Sequence, residues 1–164
     1  MRRWSIALVL ALLACSLGAQ TRAGAVEVAG DQALFTAVGT LSGANAYTTY
    51  MALGSAADSY ASRVYGADKA IRVVGILRTL ARSAADGLDA LLDTPALHAQ
   101  DRAYVRGMLE AYGYLVAQAD GFEAWVKTGE RAQFDRARDQ AWDAIGRALI
   151  ASTGVRADDE EALE

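Results

Sequence analysis

Twenty acidic against sixteen basic residues give this 164-residue chain a formal charge of −4, without the basic excess that a nucleic-acid footprint requires. A single cysteine and a single histidine exclude an internal disulfide and the multi-histidine metal sites common in helical proteins. What remains is an apolar-rich chain long enough for one core held by packing alone.

The first 25 residues read as an export signal. Arg2 and Arg3 precede an apolar run from Ile6 to Ala14, and Ala23-Gly24-Ala25 supplies a small-x-small cleavage site. The run is too short to span a bilayer as a mature helix. A second reading stands beside it. Leu12-Leu13-Ala14-Cys15 resembles the lipobox of bacterial lipoproteins, which implies a signal over residues 1–14 and a lipidated Cys15. Either cut makes the remainder more acidic, since Arg2 and Arg3 are lost and, in the longer signal, Arg22 as well. Residues 26–153 are then expected to form the helical domain, and the acidic stretch 154–164 a disordered tail.

Beyond residue 30 the chain has one proline and apolar residues at helical spacing. Tyr65-Gly66-Ala67-Asp68 carries a stop-and-restart signature, with a glycine for one helix end and an acid for the next start. Thr94-Pro95 reads as an N-cap followed by proline at the first helical position. Lys127-Thr128-Gly129-Glu130 sets a cation at an outgoing end and an anion at an incoming one. Four segments result, about 31–65, 68–93, 95–128 and 130–152. Their short connections predict an all-α, up-down antiparallel four-helix bundle. Gly39, Gly43 and Gly54 predict a break or kink in the long first helix.

Segment two carries a seam of Ala70, Val73, Leu77, Leu80, Ala84, Leu88 and Leu91, with Val74 and Ala81 beside it. Segment three offers Val105, Met108, Tyr112, Leu115, Ala119, Phe122 and Val126. Segment four is thinner, with Phe134, Ala137, Ala141, Ile145 and Ala148. Segment one is expected to bury Leu34, Val38, Leu41 and Ala52, with Asn45 as a polar group that specifies packing. Arg131, Asp135, Asp139, Asp143 and Arg147 follow at intervals of four as a solvated stripe, with Asp143 placed to pair with Arg147.

The residues that could carry chemistry are few. A di-iron site needs Glu-x-x-His on two helices, and residue 95, three before the lone His98, is proline. Covalent haem needs Cys-x-x-Cys-His. His98 with Met51 or Met108 forms at most a formal haem-ligand pair. Asp101 lies near His98, but no nucleophile elbow accompanies them. No catalytic residue, metal or cofactor is expected. Two constellations remain. Arg63 and Glu123 each place a charge on a core-facing stripe, and antiparallel topology brings those stripe ends together as a partly buried pair. The apolar arc of segment three also extends past its seam to Tyr104, Tyr114 and Trp125, which makes these three candidates for an interface. Segment three is otherwise unusually central.

Together these features predict a non-enzymatic, exported protein, periplasmic or secreted, whose bundle binds or scaffolds a protein partner of the bacterial envelope or a second copy of itself. No nucleic acid is expected, and membrane contact only through a lipid at Cys15. The competing expectation is a carrier of a small apolar ligand held between the helices.

Overall fold

The computed structural model describes the backbone of residues 4–95 and 97–153, and the side chains of 33–95 and 97–150. The side chain of Cys15, the expected cleavage sites and the residues 154–164 lie outside the described side chains. Among the described residues every regular element is helical: α1 (Trp4–Ala61), α2 (Ala67–Leu92), α3 (Ala99–Thr128) and α4 (Ala132–Thr153). Residues 1–37 and 38–164 form separate compact units. The first consists of the leading part of α1, in which Leu34 is exposed rather than buried. The second is an all-helical bundle. No described helix is long and apolar enough to cross a membrane.

Within the second unit α3 is the central helix. It packs against both α2 and α4, and three of its tyrosine and phenylalanine positions meet α1. The Tyr104 hydroxyl donates to the Gly39 carbonyl at 2.5 Å. The Tyr112 hydroxyl is within reach of the Ser42 carbonyl at 3.0 Å and of Asn45 Oδ1 at 3.2 Å. Phe122 meets the edge of Tyr60 with ring centroids 6.0 Å apart. Three neighbours explain the wide apolar arc: Val105, Met108, Ala111, Tyr112, Leu115, Ala119 and Phe122 are all buried. On α4 the buried positions are Phe134, Ala137, Ala141, Ala144, Ile145 and Ala148. A methyl added at Gly107 would lie 3.5 Å from Ala148 Cβ, and one at Gly121 only 2.9 Å from Phe134 Cα. These helices therefore touch almost backbone to backbone.

The first helix departs from the expected pattern. It runs unbroken through Gly39, Gly43 and Gly54. Its glycines instead permit close approach, since a methyl at Gly43 would meet Leu149 at 2.7 Å and one at Gly39 would meet the Tyr104 ring at 3.3 Å. Its buried face is made of Ala46, Thr49, Leu53, Ala56 and Ala57, while Leu41 is 69% exposed. Small residues win the interface because they let the helix axes come near. On α2 the buried positions are Ala70, Val74, Ala81 and Leu88, and Leu80 points to solvent. The seam is thus rotated by about one residue from the expected one.

The turns are built differently from the sequence signatures at two of three places. Gly129 ends α3 in the left-handed region, φ 82°, and its N–H donates to the Trp125 carbonyl at 2.8 Å. Gly66, by contrast, is extended and precedes α2 as its N-cap. The left-handed residue after α1 is Arg63, φ 63°. Thr94-Pro95 does not cap α3, which starts behind His98. Arg102 reaches back instead, donating to the carbonyls of Leu92, Thr94 and Leu97. A cation with several donors satisfies the open carbonyls at the end of α2 and fixes the connection.

Candidate functional site

The expected Arg63–Glu123 pair is not formed. Arg63 is exposed in its turn, and the left-handed backbone there separates it from the helical stripe on which it was placed. Glu123 is met from α2 instead: Arg78 Nη1 lies 2.7 Å from Glu123 Oε2 and 2.7 Å from Asp120 Oδ1. Lys127, one turn on, binds the other oxygen of Glu123. These hydrogen bonds, from Lys127 first and Arg78 second, hold the Glu123 carboxyl below its ordinary range against the opposing effect of burial. Arg78 in turn is raised, by Asp120 first and Glu123 second. The cluster ties α2 to α3 and lines a cleft of about 390 Å³.

The three aromatic interface candidates are largely used inside the bundle. Tyr104 is half-buried against Gly39 and Ser42. Trp125 belongs to an aromatic cluster with Tyr60, Phe122 and Phe134, at centroid distances of 5.2, 5.7 and 5.8 Å. Arg131 lies over its ring at 5.0 Å. Tyr114 is half-buried. His98 is exposed at the start of α3, and among the described residues no group of three or more histidine, cysteine, aspartate or glutamate side chains is placed to hold a metal.

The exposed aromatic surface is elsewhere, along the groove between α1 and α4. Two adjoining clefts share Tyr50 and Met51. One, of about 430 Å³, is lined further by Gly54, Ser55, Asp58, Ser59, Ser62 and Arg138. The other, of about 420 Å³, adds Tyr47, Asp139, Trp142 and Asp143. The Trp142 ring is 5.4 Å from Tyr50 and 6.3 Å from Tyr47, tilted by 38° and 50°. Tyr47, Met51 and Trp142 are 43, 51 and 51% exposed. Large apolar rings left in water at adjacent positions of two helices are unusual on a closed surface.

Arg138 anchors the first cleft. Its Nε donates to the Tyr50 hydroxyl at 3.4 Å, and its guanidinium lies 5.9 Å from the Tyr50 ring centre. The hydrogen bond to Tyr50 is the main reason its pKa is raised, with Asp58 and Asp135 adding to it and burial opposing. Asp139 and Asp143 stand one helical turn apart in the second cleft. Neither has an ion-pair partner among the described residues, because Arg147 reaches Glu110 on α3 at 3.1 Å rather than Asp143. Sequence reasoning missed this groove because its rings come from two distant segments. The spacing of Tyr47, Tyr50 and Met51 within one turn was the available signal.

Deep in the bundle, Gln118 is fully buried, and among the described residues neither its amide nitrogen nor its oxygen has a hydrogen-bond partner. Compared with known proteins, the chain matches no family model, no curated protein and no solved structure.

Proposed function

We propose that the protein is a non-enzymatic, exported bundle of alternately up and down helices that binds or scaffolds a protein partner in the bacterial envelope. The exposed ring cluster of Tyr47, Tyr50 and Trp142 with Met51, in the α1–α4 groove, is the observation that carries this reading. Tyrosine, tryptophan and methionine are enriched at interfaces, where large rings bury much area at little cost in side-chain entropy. The export signal at residues 1–25, or a lipid at Cys15, supports the location. The alternating direction draws on the order of contacts, with Gly107 near Ala148 and Gly121 near Phe134.

A photo-crosslinking residue at Tyr47 in the full chain, expressed in the cells that make it, tests the proposal. One discrete protein adduct that is lost on Trp142→Ala is expected. No adduct, or the same adducts from exposed Asp86 on α2, would reject it.

A second reading, a carrier of a small ligand held between the helices, draws on Gln118. A molecule lodged in the core would bring a hydrogen-bonding group to that buried amide. Native mass spectrometry showing a co-purifying small molecule, lost on Gln118→Leu, would favour the carrier.

A further inference from the structure

We propose that the α1–α4 groove receives an arginine side chain of the protein partner, its guanidinium set against Tyr47 and Trp142 and bound by Asp139 and Asp143. This rests on the partner-binding reading above and adds to it the chemistry of the anchoring group.

Charge decides the sign of the occupant. Along the outer face of α4, Asp135 is paired with Arg131 at 2.9 Å, and Glu110 of α3 is paired with Arg147 at 3.1 Å. Asp139 and Asp143 alone on this face remain without a cation among the described residues, and both line the cleft of about 420 Å³. Two uncompensated carboxylates one turn apart repel an anionic ligand and attract a cation. The rings between them act in the same direction, because an aromatic face carries partial negative charge.

Geometry selects a guanidinium among cations. Rings tilted at 38° and 50° to one another offer flat faces to a flat, weakly hydrated group. Two separate carboxylates match the several N–H donors of a planar fork better than the compact charge of an ammonium. The protein already makes this contact within itself: Arg131 lies over Trp125 at 5.0 Å and Arg138 beside Tyr50 at 5.9 Å. Arg138 lines the neighbouring cleft and not this one, so among the described residues no cation lines the second cleft. Met51 completes the wall with a flexible thioether that adapts to the aliphatic stem of the arginine.

The test uses the full chain, with the Trp142 indole N–H followed by NMR and identified through Trp142→Phe. The probes are Ac-Gly-Arg-Gly-NH2, its citrulline counterpart, which keeps the shape and loses the charge, its lysine counterpart and tetramethylammonium chloride at matched ionic strength. The arginine peptide is expected to shift the Trp142 signal saturably, about tenfold more tightly than the citrulline peptide and more tightly than the other two cations. Asp139→Asn with Asp143→Asn should weaken it by about tenfold or more. Both residues are exposed, so circular dichroism of this variant should be unchanged. Equal binding of arginine and citrulline peptides, no saturable shift, lysine or tetramethylammonium binding as tightly, or an unaltered affinity in the double variant would each overturn the proposal. An adduct from Tyr47 without arginine-peptide binding would reject the arginine and keep the partner. Peptide binding without an adduct would do the reverse.

Discussion

Arg78 of α2 sits 2.7 Å from Glu123 of α3, with 26 and 18% of the two side chains exposed. It joins two helices at the carboxylate for which Arg63 was the expected partner. Each member keeps a second partner when the other is removed, Lys127 for Glu123 and Asp120 for Arg78, so Arg78→Met or Glu123→Leu should each cost ~1 kcal/mol, the upper end of the range for exposed pairs. Changing both should recover part of the loss, and the coupling is read from a double-mutant cycle by denaturant unfolding. The pH dependence has a definite sign. Because the folded Glu123 carboxyl titrates below its ordinary 4.5, the unfolded chain takes up the proton first. The stabilisation is therefore present above pH 4.5 and lost as pH falls through the lower folded value. Glu123→Gln should flatten that part of the acid unfolding profile.

Arg63 gives the complementary prediction. A non-glycine residue at φ 63° carries a steric cost of ~1–2 kcal/mol, which glycine avoids at the expense of a more flexible unfolded chain. Arg63→Gly is expected to leave stability unchanged or raise it by up to ~1 kcal/mol. A loss above that size in thermal unfolding would show that the Arg63 side chain has a partner after all.

Tyr112 should make the bundle sensitive to alkali. Burial, and secondarily Tyr104, pushes its hydroxyl from 10.0 up to about 12, so the folded state keeps a proton that the unfolded chain gives up. The associated stability is complete below pH 10 and falls between pH 10 and 12. Tyr112→Phe should lose ~1 kcal/mol at neutral pH with the hydrogen bond to α1, and its stability should fall less steeply over that alkaline window.

Two glycines of α3 should respond in opposite directions. A Cβ at Gly121 would stand 2.9 Å from both Cα and N of Phe134. Since backbone must shift to admit it, Gly121→Ala should cost ~1–3 kcal/mol or more. Gly113 has open space around it, and Gly113→Ala should stabilise the helix by ~0.5–1 kcal/mol. Equal effects in denaturant unfolding would mean that α3 and α4 are not in close contact at Gly121.

The two helices with large apolar residues in regular repeat were legible from sequence. Phe122 and Leu115 on α3 and Phe134 and Ile145 on α4 could be placed in the core by spacing alone, because burying such side chains dominates the packing energy. The first helix was not legible in this way. Apart from Leu53, its interface is built from Gly43, Ala46, Ala56 and Ala57, which contribute through closeness rather than through area, while its leucines at 34 and 41 lie on the exposed face. Arg78 escaped notice because it flanks the buried stripe, and its partners Asp120 and Glu123 belong to another helix. The connection after α2 departs from its sequence signature for a similar reason. A proline after threonine suggested a cap, whereas the carbonyls there are satisfied by Arg102, which lies further along the chain. The α1–α4 groove needs the pairing of Tyr47 and Tyr50 with Trp142, a tertiary fact of which the spacing within α1 carries only one half.

Hydroxyl-radical footprinting of the protein in the cells that make it, against the purified full chain, tests the central claim most directly. Met51, Tyr47 and Trp142 are exposed in the chain by itself, as are Leu80 and Ile76 on α2. If the α1–α4 groove is the docking surface, the first three should be oxidised severalfold more slowly in the cell, while Leu80 and Ile76 keep their rates. Unchanged rates at Met51 and Trp142, or protection confined to the α2 positions, would contradict it.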